Sequence, residues 1–131
     1  MKVDKKKGIL IIESFTELNK RIRFEGSILV GRGCKLIDLN GKEIFIGKGC
    51  IFKSANAERV IVGASSTFNS IKAYFIIVLN DCKGKKISGN MVKIGERCRI
   101  EEIDAISLEL SGNSKISKIS AEKLRFFGDI R

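Results

Sequence analysis

Histidine, tryptophan and proline are absent from this chain of 131 residues. Without histidine, metal–imidazole sites, catalytic triads and histidine-based acid–base chemistry are excluded. The carboxylates are scattered and form no catalytic constellation, so the sequence predicts no enzyme activity, no cofactor and no small-molecule substrate. No apolar run approaches the roughly 18 residues that a membrane-spanning helix needs.

Positive charge exceeds negative charge, with 25 Lys and Arg against 15 Asp and Glu, which gives a net charge of +10. Such a balance favours acidic partners, but it also describes a solvated basic surface. Lys5, Lys6, Lys7, Ile9 and Leu10 form a candidate membrane tether. Their apolar run is too short for a signal-peptide core, and no small-residue cleavage site follows. We therefore expect a cytoplasmic protein, with peripheral attachment to a membrane as an option.

A repeat with a period of 16 organises the chain from Ile28 onward. The first and third residues of every repeat are large and apolar. They are Ile28 and Val30, Ile44 and Ile46, Val60 and Val62, Ile76 and Val78, Val92 and Ile94, Leu108 and Leu110, and Leu124 and Phe126. A spacing of two is typical of a β-strand, because successive side chains point to opposite faces of a sheet.

Small or apolar residues also stand at two more pairs of positions in most repeats. These pairs are the seventh with the ninth position and the twelfth with the fourteenth. Three short strands per repeat predict an all-β fold, a single-stranded parallel β-helix with triangular coils. Residues 28–131 would form about six and a half coils, stacked about 4.8 Å apart. Residues 1–27 break the register, and we expect a basic tail followed by an irregular cap or docking segment. Gly31, Gly47 and Gly63 follow the first strand, where we expect a sharp turn.

A family resemblance is carried by residues 22–31 (Ile-Arg-Phe-Glu-Gly-Ser-Ile-Leu-Val-Gly), 46–49 (Ile-Gly-Lys-Gly) and 94–96 (Ile-Gly-Glu). With these segments, the coil length and the three-faced period, the chain resembles the bactofilins, which are polymer-forming cytoskeletal β-helix proteins. The resemblance implies a right-handed triangular β-helix that assembles end to end into non-polar filaments without nucleotide. It also implies a scaffold role, in which a short N-terminal segment often attaches to membrane. The chain departs from the family in lacking long polar tails and in its cysteines at the seventh repeat position.

The left-handed hexapeptide-repeat acyltransferases are the rival solenoid. Residues 46–51 could pass as one of their hexapeptides. Their coils contain three hexapeptides, which is longer than the period of 16 seen here, and their usual general base is a histidine, which this chain lacks. The period and the missing histidine therefore favour the bactofilin-like interpretation.

The last coil ends part-way round, at Arg131. Leu124, Phe126 and Ile130 occupy inward positions, and Phe127 stands where other coils have a corner glycine. An uncovered coil exposes an apolar cross-section and unpaired backbone groups, which can bind another chain. These four apolar residues are therefore the predicted end-to-end interface between copies of the chain. The alternative is that a side chain or the N-terminal segment folds over this end.

The second position of each repeat should face solvent, yet four consecutive repeats have an apolar residue there. Leu29, Phe45, Ile61 and Ile77 form this stripe. An apolar patch of this kind needs a cover. One interpretation is that residues 9–15 pack over the stripe, and the other is a lateral interface or a membrane contact.

A basic face is expected along the eighth to eleventh repeat positions. It comprises Lys35, Lys83, Lys85, Lys86, Arg99, Lys115 and Lys118. Such a face could contact lipid head groups or, nonspecifically, a phosphate backbone. Glu101 and Glu102 interrupt it, and no aromatic residues interleave for base stacking, so sequence-specific nucleic-acid binding is not expected.

Cys34, Cys50, Cys82 and Cys98 share the seventh repeat position. Neighbours in this column fall within disulfide range, but parallel stacked side chains orient poorly for a disulfide. A straight column also cannot surround a zinc ion. We therefore expect free thiols that act as small buried apolar residues in a reducing compartment.

Overall fold

Every regular element of the described chain is a β-strand. The computed structural model describes residues 1–127, and over that range the predicted all-β solenoid of stacked parallel coils is confirmed. The strands are β1 (Lys2–Asp4), β2 (Ile9–Ile12), β3 (Ile22–Arg23), β4 (Ser27–Val30), β5 (Asp38–Asn40), β6 (Glu43–Ile46), β7 (Ile51–Val62), β8 (Thr67–Val78), β9 (Lys83–Ile94), β10 (Arg99–Ser111) and β11 (Lys115–Phe127).

From β4 onward, consecutive coils pair in parallel, and the offset between paired residues is always the period of the sequence repeat. Ile28 lies beside Ile44, and Val60 lies beside Ile76. The strands from β7 to β11 are each 12 or 13 residues long, so a single strand continues along more than one side of the coil. Like side chains therefore lie above one another, and each coil buries its inner surface against its two neighbours.

The coil that precedes Ile28 is longer than the others. Leu10 of β2 lies beside Ile28 of β4, so the offset here exceeds the regular period by two positions. Between Ile22 of β3 and Leu39 of β5 the offset exceeds it by one position. The extra residues move the inward positions of this coil out of the regular register, which explains why the sequence looks irregular here. The stacked coils therefore begin at β2, within the segment that the sequence assigns to a cap.

β1 adds one antiparallel strand to the first coil. Lys2 lies beside Ile11, and Asp4 lies beside Ile9. β2 is consequently paired on both sides, by β1 and by β4. The cover is partial, because Val3 of β1 is 53% exposed although it lies at an inward position of the stack.

The core is one apolar column that runs through the inside of the coils. Each large apolar side chain buried there contributes about 1.5–3 kcal/mol relative to full exposure. Large and small residues complement one another along the column. Phe68 stacks on Phe52 with ring centroids 5.5 Å apart, and a Cβ atom on Gly84 would collide with the Phe68 ring. The glycine therefore provides the space into which the aromatic ring fits.

Two kinds of residue shape the corner that follows the first strand of each coil. At the fourth position, a Cβ atom on Gly47 or Gly63 would come within 2.8 Å of backbone atoms in the corner of the preceding coil. The left-handed backbone lies two residues later, at Gly33 and Gly49 and also at the non-glycine Ser65, with a φ of 60°. The sharp turn predicted at the fourth position is therefore made at the sixth, and the fourth-position glycines allow the corners to stack closely.

Candidate functional site

The last described coil exposes apolar side chains whose counterparts are buried in earlier coils. Leu124 is 44% exposed and Phe126 is 53% exposed. Leu108 and Leu110, one coil earlier in the same two columns, are only 0% and 3% exposed. On another side of the coil, Ile119 is exposed in the same way. These side chains keep the inward placement of the repeat, but the described residues place no further layer on top of them.

The outer edge of β11 is open as well. β11 is the last strand in the order of the sheet, and within residues 1–127 its only partner is β10. Its outward-directed N–H and C=O groups can therefore pair with a further strand. Of the predicted interface residues, Leu124 and Phe126 lie together at this end, and Phe127 lies in β11 beside Ser111. Ile130 lies outside the described residues.

The apolar stripe is a continuous column on the outer side of the first strands, and one further residue extends it. The column consists of Ile11, Leu29, Phe45, Ile61 and Ile77. The interpretation in which residues 9–15 cover the stripe is wrong, because β2 lies beside β4 in the same sheet and not over it. Lateral contact or membrane contact at this stripe stays a prediction.

The candidate tether is divided between an exposed turn and the core. Lys5, Lys6 and Lys7 are exposed between β1 and β2. Leu10 is only 5% exposed, because it points into the first coil, so it cannot insert into a lipid bilayer. Ile9 is partly exposed. Within residues 1–127 no helix is long and apolar enough to cross a membrane.

The predicted basic face contains one row of adjacent cations. Lys83, Arg99 and Lys115 lie side by side in consecutive coils, and all three are exposed. Like charges at this spacing repel one another, so the row costs free energy in the isolated chain. An anionic partner would remove that cost.

The other cations of the basic face have different surroundings. Lys86 and Lys118 share the carboxylate of Glu102, at N–O distances of 3.8 and 3.6 Å. Lys85 is exposed next to Lys86 in β9. Lys35 lies far from the row, where it bridges the first coil and Ile51 of β7. The structure therefore brings together three of the seven predicted cations, and among the described residues no acidic side chain stands next to them in their column.

Comparison with protein-family models, with curated proteins and with solved structures finds no match for this chain. What the surfaces can do therefore has to follow from their own residues. In the range 1–127, the side chains of Cys, Asp and Glu form no group of three or more that could hold a metal ion.

A long groove of about 1320 Å³ follows the fourteenth repeat position along the solenoid. Its floor is made of small residues such as Ala57, Ala73 and Gly89, and its walls include both Lys72 and Asp104. Because small floor residues and mixed charges suit no particular ligand class, the groove carries no functional assignment.

The seventh repeat position closes each corner through a hydrogen bond to the preceding coil. The Sγ of Cys50 donates to the carbonyl oxygen of Gly31, and the Sγ of Cys98 donates to that of Leu79, each at 3.1 Å. Donor and acceptor are 19 residues apart in both cases. The side chains that make the equivalent bond elsewhere are Cys34, Ser66, Cys82 and Ser114. Cysteine and serine share this position because each is small and carries a donor.

The two serines at this position accept a backbone hydrogen bond in addition to donating one. The Oγ of Ser66 donates to the Gly47 carbonyl at 3.3 Å and accepts from the backbone N–H of Cys50 at 3.2 Å. Ser114 accepts from the N–H of Cys98 at 3.1 Å in the same way. Among the described side chains, no buried nitrogen or oxygen is left without a partner.

All four cysteines are free and buried, as the sequence predicts. Their role as hydrogen-bond donors was not predicted, because the acceptor lies in a different coil. Burial raises the pKa of the Cys50 thiol. The neighbouring Cys98 side chain and burial together raise the pKa of Cys82. Cys50 and Cys82 therefore stay protonated at neutral pH, as a hydrogen-bond donor must, whereas the hydrogen bond with Cys82 lowers the pKa of Cys98 to about 7.

Substitutions at Cys50 should distinguish a hydrogen-bond donor from a simple apolar filler. Cys50→Ser keeps a donor for the Gly31 carbonyl, whereas Cys50→Ala removes it, and we expect the alanine variant to be less stable by about 1–2 kcal/mol. Urea unfolding followed by circular dichroism measures the difference. Ser66→Ala, which removes a donor and an acceptor, should cost at least as much. Equal stability of the alanine and serine variants at position 50 would contradict the donor role.

Proposed function

We propose that this protein is a structural, self-assembling element that polymerises through the ends of its solenoid, without nucleotide and without a catalytic role. This is the cytoplasmic filament or scaffold function implied by the resemblance to the bactofilins. The observation that carries the proposal is the last described coil, over which residues 1–127 place no further layer and in which Leu124 and Phe126 are 44% and 53% exposed. The partner at this end is a second copy of the same chain.

Two contributions would stabilise contact between C-terminal ends. Removing apolar surface from water contributes about 25 cal/mol per Å², and pairing of the β11 edges satisfies backbone groups that otherwise need water. A two-fold axis between the copies would bring the two β11 strands together in antiparallel orientation. β1 beside β2 is an example, within this chain, of an antiparallel strand added to the edge of a coil.

A filament also needs a contact at the opposite end. β1 is the first strand in the order of the sheet, and among the described residues its outer edge has no partner. Val3 and Phe15 are 53% and 70% exposed near this end. Alternating contacts between two C-terminal ends and between two N-terminal ends would give a filament without polarity, as the resemblance implies.

Phe126→Arg should abolish assembly and leave the fold intact. Phe126 is half exposed in the single chain, so an arginine there is solvated, but between two stacked ends its charge would be buried without a partner. Electron microscopy should find filaments of the parent protein and only discrete particles of the variant. Circular dichroism should report the same β-rich fold for both.

Tyr74→Arg is the matched control for this experiment. Tyr74 is an aromatic residue of similar exposure, 57%, on the side of the solenoid. Its replacement introduces the same charge away from the ends and should leave the filaments unchanged. Persistence of filaments in the Phe126→Arg protein would refute the proposal.

The row of Lys83, Arg99 and Lys115 favours a second candidate function, which is binding of phosphate-bearing surfaces. An anionic membrane is the first source of such a surface, and nonspecific nucleic acid is the second. The specific observation is that three exposed cations lie in adjacent coils, where they repel one another in the absence of an anion.

Reversing these three charges should weaken binding to anionic vesicles or to single-stranded DNA. For three phosphate contacts on DNA, the logarithm of the binding constant should fall with the logarithm of the salt concentration with a slope of about −2 to −3. The control reverses Lys20, Lys48 and Lys72, which gives the same net charge elsewhere on the surface. Equal losses in both triple variants would mean that net charge, and not the row, is responsible. Fluorescence anisotropy and vesicle sedimentation measure the two ligands separately.

A further inference from the structure

The outer side of the first strand of each coil, which we call face A, carries two adjacent columns of side chains. One is the apolar stripe from Ile11 to Ile77. The other stands two residues earlier in each coil and includes Glu43, Arg59 and Phe75. Both columns point away from the core, because they alternate with buried residues along β4, β6, β7 and β8.

One strand segment of face A is apolar on both sides. Ile76 and Val78 are buried in the core, whereas Phe75, Ile77 and Leu79 alternate with them and face outward. Leu79 is 45% exposed. A strand that is apolar on both sides is typical of a sheet buried between two layers. Within residues 1–127, no strand of this chain supplies the second layer over face A.

Charges of both signs stand inside this apolar patch. The Oε2 of Glu43 lies 3.5 Å from Nη1 of Arg59, in neighbouring coils, and the Arg59 guanidinium lies over the Phe75 ring at 5.8 Å. An anionic membrane would be repelled by Glu43 and by the adjacent Glu58. A protein surface with the opposite order of charges would instead pair with both members of the Glu43–Arg59 couple.

A second copy of this chain presents that order of charges. A two-fold axis parallel to the strands, passing between the segments of Phe45 and Ile61, turns the second solenoid antiparallel and brings the two faces together. Phe45 of one copy then lies opposite Ile61 of the other, and Glu43 lies opposite Arg59. These contacts occur twice because the interface is isologous.

The match extends to the neighbouring coils. Leu29 lies opposite Ile77, because each is one coil further from the axis than Phe45 and Ile61. At the margin of the patch, Ile11 lies opposite Lys93, whose alkyl chain can cover it while the ammonium group stays in water. We propose that face A is a self-association surface, on which a second copy of this chain packs face to face and antiparallel around the two-fold axis between Phe45 and Ile61.

Neighbouring registers match less well. An axis through Phe45 would place Glu43 against Glu43 and Lys2 against Lys93. An axis through Ile61 would place Arg59 against Arg59 and Leu29 against Lys93. Like charges in direct opposition are destabilising, whereas the axis between the two segments pairs Glu43 with Arg59 and Lys2 with Glu109. The charge order therefore specifies one register.

The size of the patch makes the pair weak on its own. Six coils stacked about 4.8 Å apart, with a face about 15 Å wide, would bury roughly 400 Å² of surface on each copy. A standard protein–protein interface buries about 800 Å² on each partner. Along a filament the same contact repeats with every subunit, so the pairing of two filaments is much stronger than that of two single chains. Lateral pairing thus goes beyond end-to-end assembly and uses a different surface.

Charge reversal across the axis provides the test, in protein whose end contacts are blocked by Phe126→Arg. Analytical ultracentrifugation over micromolar to millimolar concentration should detect a monomer–dimer equilibrium. Glu43→Arg places a second guanidinium opposite Arg59, and Arg59→Glu places two carboxylates opposite each other, so each variant alone should dimerise about tenfold more weakly or worse. An equimolar mixture of the two variants should form a heterodimer.

The mixture is decisive because mixing leaves each variant chain itself unchanged, with two like charges at positions 43 and 59. Only opposite charges on the two different chains can therefore restore dimerisation. Phe45→Lys should abolish the dimer, and Lys72→Glu, outside face A, should leave it unchanged. Absence of a dimer before charge reversal, or a mixture no more dimeric than its components, would overturn the proposal. If the Phe126→Arg protein still polymerises, end assembly through this residue fails, and the same variants are then compared by filament width in electron microscopy.

Discussion

Backbone hydrogen bonding between consecutive coils is the constraint on which the rest of this structure depends. The strands of a single coil cannot hydrogen-bond to one another. Each strand pairs with the strand that lies one full period further along the chain. Every interior coil is satisfied twice, by the coil before it and by the coil after it. Within residues 1–127, the first and last coils are each paired with only one other coil, so the chemistry of these two ends differs from that of the sides.

The two ends are treated differently by the sequence. At the N-terminal end, β1 pairs with β2 in antiparallel orientation and satisfies one part of the first coil. At the C-terminal end, β11 repeats the inward pattern of earlier coils, with Leu124 and Phe126 in the columns of Leu108 and Leu110. A side chain that stabilises an interior coil by burial is an exposed apolar group in the last described coil. The same repeat that builds the core therefore leaves apolar side chains exposed in the last described coil.

Much of this architecture could be predicted from the sequence, because a period of 16 and an alternation of two specify both the stacking and the inward residues. Leu39 and Ile103, for example, are buried where the period places them. The coil from β2 to β3 could not be aligned, because its extra residues shift the register by two positions and then by one. The cover expected from residues 9–15 failed for the same reason, since Ile11 belongs to the stripe and does not lie over it.

The corner chemistry was harder to predict, because it depends on contacts between coils. Cysteine at the seventh position resembles an apolar filler in the sequence, and its acceptor is 19 residues earlier, in another corner. The occurrence of Ser66 and Ser114 in the same column was the available signal, since a buried hydroxyl requires a hydrogen-bond partner. At the sixth position, Asp81 and Arg97 adopt left-handed backbone and pair with each other at 2.8 Å. A stacked ion pair in the corner replaces the glycines found there in earlier coils.

The proposed assembly uses two surfaces, which are face A and the end at β11. The end offers backbone groups and an apolar layer along the solenoid axis, whereas face A offers an apolar patch with an ordered charge pair at its side. We propose for each surface a contact between two copies of this chain that are related by a two-fold axis. In the proposed assembly, contacts between ends would lengthen a filament, and contacts through face A would widen it.

Hydrogen exchange of the outward-directed backbone amides in β11 tests the central claim most directly, because these amides do not pair with β10 and lie at the open edge. Parent filaments are compared with the unassembled Phe126→Arg protein by mass spectrometry or NMR. Slow exchange is expected in β8 in both samples, whereas the outward-directed amides of β11 should exchange fast in the single chain and slowly in the filament. Equal exchange of β11 in both samples, or protection gained only elsewhere, would contradict it.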